Sequence, residues 1–175
     1  MMKTLLMGIA AALLGLLGYA STRPDSFSVE RSTTVLAPPE KIYPFLADFR
    51  QWNAWSPWDR LDPAMKRQFS GAASGQGAVY AWEGNKDVGS GRMEIRSARP
   101  VSSVDIQLDF LAPFEAHNTA SFTLVPEAGA TAVTWTMTGP MPFLSKVMSL
   151  FVSMDKMVGP DFEAGLANLK AAAEK

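Results

Sequence analysis

His117 is the side chain that could most directly do chemistry, because the unperturbed pKa of a histidine, about 6.5, suits a general base. It is the one histidine of the sequence, and there is no cysteine, so the chain has no histidine cluster for a metal ion and no thiolate nucleophile. Nucleophilic catalysis would need a serine or threonine and an orienting carboxylate close to it, and the sequence carries no signature for them. We therefore assign no catalytic residue, no metal ligand and no cofactor.

The alternation of side chains along a strand separates His117 from its neighbour Asn118. Successive side chains point to opposite faces of a sheet. His117 shares its face with the serine and threonines that follow it, which predicts exposure to solvent. Asn118 shares the apolar face with Ala120 and Phe122, and it is the better candidate for a pocket residue.

Asp155 interrupts an apolar stripe near the C-terminus, and two explanations are open. In a dry cavity it would be functional, because burying an unpaired carboxylate is costly or shifts its pKa. Otherwise it forms a salt bridge with a neighbouring segment or lies at the wet edge of the stripe. A buried Asp155, Glu83 or His117 with a perturbed pKa would favour an enzyme.

Two groups of large aromatic residues could contact a flat or ring-bearing ligand. Trp52, Trp55 and Trp58 recur every three residues, so they share a side of a 3₁₀ helix. They either form a wall at the mouth of a pocket or pack short helices onto the sheet. Tyr80 and Trp82 share one strand face, which we predict to line a cavity rather than to cover the outside.

A long C-terminal helix, predicted over residues 142–175, must position these candidates. Apolar residues run along it at three- and four-residue steps. Gly159 and Pro160 predict a kink or a restart. The half before them has the wider apolar face, so we predict that it is the buried or ligand-facing half, with Phe151 and Met154 toward the ligand.

Seven short segments predict an antiparallel sheet. They cover residues 27–35, 65–70, 78–84, 88–97, 103–111, 115–125 and 131–138. Two short helices follow the first strand, one over residues 40–47 and one capped by Asp48, and Gly89-Ser90-Gly91 is interpreted as a turn. The sheet has one apolar face, and the C-terminal helix is the element long enough to cover it. The sequence therefore predicts an α+β fold in which a curved sheet wraps around the long helix, with a gap for an apolar ligand between them.

The N-terminal residues 1–22 are predicted to be a separate targeting or anchoring segment, ahead of a domain over residues 23–175. After Lys3 there is no charged residue until Arg23. A cleaved signal peptide and an uncleaved transmembrane anchor both fit, since about 20 apolar residues span a bilayer. Tyr19 and Arg23 resemble a membrane boundary and favour the anchor. Because Lys3 is the only early positive charge, the N-terminus should stay in the cytoplasm. The domain would then lie on the periplasmic or extracytoplasmic side.

The charge balance excludes one class of partner. The formal net charge is −1 with acids and bases mixed, so no basic field of the kind that recruits nucleic acid exists.

Three stretches resemble the SRPBCC superfamily, the START-like and birch-allergen-like helix-grip group, in its polyketide cyclase/dehydrase branch. They are RPDSFSVERSTTVLAPPEKIYPFLADFRQWNAWSPW, GSGRMEI and MPFLSKVMSLFVSMDKMVGPDFEAGLANLK. The resemblance covers residues 27–173. It implies a hydrophobic cavity between sheet and helix that binds lipids, sterols, polyketides or similar molecules. It does not imply one reaction, because members include carriers, receptors and cyclases.

Three functions therefore stay open. The first is a membrane-tethered protein that binds a hydrophobic small molecule or lipid. The second is a cyclase or dehydratase acting on an apolar, ring-forming substrate, and the third is an envelope protein-interaction module whose cavity is filled by its own aromatic residues. The predicted ligand-binding residues are Trp55, Tyr80, Trp82, Met93, Ile106, Leu108, Asn118, Phe122, Trp135, Phe151 and Met154.

Overall fold

The computed structural model describes residues 2–175, apart from the side chains at positions 3 and 5. The chain begins with helix α1 (Met2–Ser21), strand β1 (Ser26–Val35) and helix α2 (Pro39–Ala47). Two 3₁₀ helices follow, Phe49–Ala54 and Trp58–Arg60. Strands β2 (Lys66–Gly71), β3 (Ala78–Glu83), β4 (Ser90–Arg99), β5 (Ser103–Ala112), β6 (Ala116–Glu127) and β7 (Ala130–Pro140) come next, and helices α3 (Phe143–Ser149) and α4 (Met154–Ala173) end the fold.

The seven strands form one antiparallel sheet in the order β1-β7-β6-β5-β4-β3-β2. All seven predicted strands are present. Three short helical elements follow the first strand, α2 and the two 3₁₀ helices, where the sequence predicts two. Burial alternates along β6 and β7, as a sheet with one covered face requires. Helix α4 lies against β1 and α2 on that covered face. The helix-grip α+β fold is thus confirmed.

The C-terminal helix breaks earlier than predicted. It is interrupted between Ser149 and Met154, and α4 then runs through Gly159 and Pro160 without a second break. Ser153 determines where α4 begins, because its hydroxyl accepts a hydrogen bond from the Lys156 amide at 3.3 Å. Pro160 lies within α4 and is exposed to solvent.

The half of the C-terminal region that is buried is also the opposite of the predicted one. Phe151 is 73% exposed, and Leu144 and Met148 are exposed as well. Phe162 and Leu169 of α4 are buried instead. The reason is that α4 and α2 together cover the apolar face of the sheet, while α3 packs against α1.

Most of the described apolar side chains of helix α1 are exposed, whereas Ala20 is buried. Within residues 2–175, none of the helices combines the length and the hydropathy needed to cross a bilayer. The Lys3 charge, on which the predicted orientation of an anchor depends, lies outside the described side chains.

Candidate functional site

Most of the predicted ligand-binding residues belong to the packed core. Trp55, Tyr80, Met93, Ile106, Asn118, Phe122 and Trp135 are buried, and Trp82, Leu108 and Met154 are half-buried against them. Phe151 is the exception, because it lies outside the space between sheet and helix.

The space between α4 and the sheet is filled by aromatic rings. Trp135 stacks on Phe162 of α4 with ring centroids 3.9 Å apart and planes 7° apart. Phe122 stacks on the same indole at 5.0 Å, and Trp55 meets it edge to face at 5.4 Å. The edge-to-face contact is a favourable geometry for an aromatic pair. The rings therefore occupy the position where the sequence predicts a ligand.

The tryptophans after α2 pack this region onto the sheet. Trp55 donates its indole N–H to the carbonyl oxygen of Phe45 at 2.9 Å, and Trp52 donates to that of Leu46 at 3.3 Å. Both side chains are buried. Of the two interpretations of these tryptophans, packing is the one that matches their contacts.

A cavity of about 360 Å³ lies beside this core, between the two 3₁₀ helices and the strands β2 and β3. Its volume is within the usual range for small-molecule sites. Three aromatic and four polar or charged residues line it: Phe49, Arg50, Asn53, Asp59, Arg67, Phe69 and Tyr80. Tyr80 is the predicted ligand-binding residue that lies on it.

Local sequence explains why these side chains meet. Phe69 of β2 is paired with Tyr80 of β3 in the sheet register, and Arg67 lies two residues away on the same face. The first 3₁₀ helix begins at Asp48, whose carboxylate accepts a hydrogen bond from the Arg50 amide at 2.9 Å. This cap holds Arg50 at the cavity.

Arg67 and Asp59 form an ion pair in the lining of the cavity. Nε of Arg67 lies 2.7 Å from Oδ1 of Asp59, whose side chain is 9% exposed. The same guanidinium also donates to the backbone oxygens of Met65 at 2.9 Å and Asp59 at 3.3 Å. Its positive charge is therefore balanced, and its donors are largely used within the protein.

Phe69 connects the polar and aromatic sides of the cavity. Its ring stacks on Tyr80 with centroids 5.1 Å apart and planes 15° apart. The guanidinium carbon of Arg50 lies 5.2 Å from the centre of the Phe69 ring, within cation–π range. One wall of the cavity is thus a stack of arginine, phenylalanine and tyrosine.

Burial raises the pKa of Tyr80 to about 12, and the nearby Asp59 carboxylate adds to the rise, while Arg67 opposes it. The phenol is 5% exposed. Its hydroxyl consequently stays protonated at neutral pH and remains a hydrogen-bond donor.

We expect Asp59→Asn to lower the pKa of Tyr80, because the substitution removes a neighbouring negative charge and leaves Arg67 unpaired. The measurement is an ultraviolet titration of the phenols, with Tyr80→Phe identifying the group that titrates near 12. In the wild type, stability should fall as the pH rises from about 10 toward 12, since the unfolded phenol loses its proton first. An unchanged titration in Asp59→Asn would contradict this account of the cavity.

The titratable groups named as possible signs of an enzyme lie outside this cavity. His117 is exposed, as predicted, and its Nδ1 is 2.8 Å from Oδ1 of Asp109, a hydrogen bond that raises the pKa of His117. Glu83 forms an exposed pair with Lys66 at 3.4 Å.

Asp155 forms a salt bridge, one of its two open explanations. The Arg31 guanidinium of β1 lies over Gly159 and contacts Asp155 at 2.8 Å and Glu163 at 2.7 Å. Its hydrogen bond lowers the pKa of Asp155. The carboxylate therefore connects α4 to β1 and does not face the cavity.

Trp82 is held away from the cavity by its neighbours across the sheet. Its indole lies over Gly91, donates to the carbonyl oxygen of Val88 at 3.1 Å and meets Phe110 edge to face at 5.8 Å. Gly91 lies inside β4, opposite Trp82, and not in a turn as predicted. Gly89 does lie in the turn, with φ +62°.

Sequence reasoning missed most of the cavity-lining residues: Phe49, Arg50, Asn53, Asp59, Arg67 and Phe69. The alternation of Arg67 and Phe69 in β2 was an available signal, since it places both on one face. The contribution of the 3₁₀ helices had no comparable signal, because it depends on how they fold over the strand edge.

Comparison with known proteins gives the family and the fold. Residues 26–174 match the family described as "Polyketide cyclase / dehydrase and lipid transport". No curated protein matches the chain.

Among solved structures, the chain is similar to the di-domain ARO/CYC StfQ from the steffimycin biosynthetic pathway, with TM-score 0.63 and 14% identity over 85% of this chain and 51% of that one. It is also similar to Aha1 from Colwellia psychrerythraea (TM-score 0.60, 18% identity, 85% and 96% of the two chains). A third similar structure is Ara h 8.0201 (TM-score 0.55, 15% identity, 85% and 95%). At these identities the likeness concerns the fold.

Proposed function

Because the chain belongs to the polyketide cyclase / dehydrase and lipid transport family of the SRPBCC superfamily, we propose that it is a binding protein for a ring-bearing, largely apolar small molecule. The observation that carries the proposal is the cavity of about 360 Å³ with Phe49, Phe69 and Tyr80 in its wall. Phe69, which is 37% exposed, offers most of the aromatic contact area, since Phe49 and Tyr80 are only 4% and 5% exposed.

The test is native mass spectrometry of the full chain, followed by organic extraction and identification of any bound molecule. Asn53→Trp should abolish binding, because Asn53 is exposed and lines the cavity, so a bulky ring there fills the space without disturbing the core. Arg60→Trp is the matched control, since Arg60 is exposed on the second 3₁₀ helix and does not line the cavity. Identical extracts from the two variants would refute a ligand in this cavity.

We propose further that residues 1–22 tether the domain to a membrane, with the domain on the periplasmic or extracytoplasmic side. The support is the absence of charge from Thr4 to Thr22 and the exposed apolar surface that α1 shares with the adjacent α3. Large exposed apolar surfaces are typical of interaction sites.

Cell fractionation tests this tether. The full chain should stay with membranes after a carbonate wash and be digested by protease in spheroplasts, whereas a chain lacking residues 2–22 should be released. Release of the full chain by the wash would contradict the tether.

A second candidate function is an envelope protein-interaction module, which the ring-filled space around Trp135 favours. An interior packed solid by its own residues has little room for a ligand. Absence of any extracted molecule, together with no uptake of apolar fluorescent probes, would favour this candidate over the first.

A further inference from the structure

The cavity presents more hydrogen-bond donors than acceptors. Arg50 and Arg67 contribute two positive charges to its lining, against the single negative charge of Asp59. The Asp59 carboxylate forms an ion pair with Arg67. The Tyr80 hydroxyl stays protonated at neutral pH, so it can donate a hydrogen bond. The carboxylate in the cavity lining is thus already paired with a guanidinium.

Arg50 is the group with unused binding capacity. Its Nη1 donates to the carbonyl oxygen of Ala73 at 2.9 Å, and Asp48 lies 3.9 Å away. Its Nε and Nη2 have no acceptor among residues 2–175, and its side chain is 53% exposed at the cavity. Guanidinium groups bind carboxylates through two parallel hydrogen bonds, which such free N–H groups can provide.

We infer that the ligand of this cavity is a ring-bearing organic acid whose anionic group binds the guanidinium of Arg50. The inference rests on the proposed function and narrows its ligand class. The ring lies against Phe69, the exposed aromatic residue of the lining, and the acid reaches Arg50, whose guanidinium carbon is 5.2 Å from the centre of the Phe69 ring. The cavity discriminates against the neutral analogue because that analogue cannot form the charge-assisted pair.

The test compares aromatic acids with their own amides on the full chain. Benzoate, naphthoate and anthracene carboxylate are titrated by calorimetry beside the corresponding carboxamides, which match them in ring size but carry no charge. We expect the best acid to bind roughly tenfold or more tightly than its amide. Arg50→Met should bring the affinities for acid and amide together, and Arg50→Lys should restore part of the preference.

Two variants control for folding and for nonspecific charge. Arg60→Met removes an arginine of the same region that does not line the cavity, so the preference should persist. Asn53→Asp places a negative charge at the cavity and should weaken binding of the acid more than binding of the amide.

The outcomes separate the inference from the proposed function. Equal binding of acid and amide, unaffected by Arg50→Met, would overturn the inference and leave ligand binding standing. Binding of none of the probes to the wild-type protein would count against both.

Discussion

Phe162→Ala should lower the free energy of unfolding by about 3–5 kcal/mol, the usual loss when a fully buried phenylalanine is truncated. Phe162 is 1% exposed. Its ring stacks on Trp135 at 3.9 Å and meets Trp58 edge to face at 6.4 Å. Both contacts join α4 to the rest of the core, so the substitution leaves a cavity and removes an aromatic pair. Denaturant unfolding followed by tryptophan fluorescence measures the loss.

Phe151→Ala is the matched control, because it is the same substitution in the same C-terminal region. Phe151 is 73% exposed and lies between α3 and α4, so its loss should change the free energy of unfolding by no more than about 0.5 kcal/mol. If the two variants were destabilised equally, the assignment of the buried half to α4 would be wrong.

The contrast between these two phenylalanines shows where the sequence stops being informative. The apolar spacing of residues 142–175 predicts helix, because periodicity is a local signal. Which half is buried is a tertiary question, since it depends on how much of the sheet α4 and α2 already cover. The wider apolar face of the half before Gly159 predicts that this half is buried. In the structure its apolar residues are largely exposed, and α3 packs against α1 instead of the sheet.

The strands could be predicted well because the alternation of apolar and polar residues is, like helical periodicity, a local signal. Alternation along residues 103–111 and 131–138 requires no knowledge of the partner strand, and both segments form strands of the sheet. Asn118 and His117 were likewise placed on the correct faces by parity alone. The position of the break in the C-terminal helix is not predicted correctly, because Ser153 caps the start of α4, whereas the sequence predicts an interruption at Gly159 and Pro160.

The candidate site was predictable only in part. Tyr80 is predicted to line a cavity because it shares one strand face with Trp82, and it lies in the lining of the cavity. Arg50 and Asp59 come from 3₁₀ helices, and they meet Arg67 through the folding of those helices over the end of the sheet. Charged residues between regular elements usually indicate a solvated surface. Their spacing in the sequence therefore does not predict that two of them will form an ion pair in the lining of a cavity.

Gly91→Ala should destabilise the protein by about 1–3 kcal/mol, although glycine to alanine is a small change. A Cβ at position 91 would overlap the Trp82 indole and lie 2.5 Å from the carbonyl oxygen of Asp109. Moving the indole would break its 3.1 Å hydrogen bond to Val88 and its contact with Phe110. The backbone oxygen cannot move without separating β4 from β5. Thermal or denaturant unfolding measures the cost.

Two further variants show whether the overlap with Trp82 is the cause. Gly18→Ala makes the same substitution in α1, where nothing lies within 4 Å of the added carbon, and it should cause no loss of stability. In the double variant Gly91→Ala/Trp82→Leu, the smaller side chain leaves room for the methyl group, so the total cost should be less than the sum of the single costs. Strict additivity would show that the indole does not limit position 91. Glycine is required here by the Trp82 indole on one neighbouring strand and the Asp109 carbonyl oxygen on the other. A sequence pattern that shows only Gly-Ser-Gly cannot distinguish that requirement from a turn.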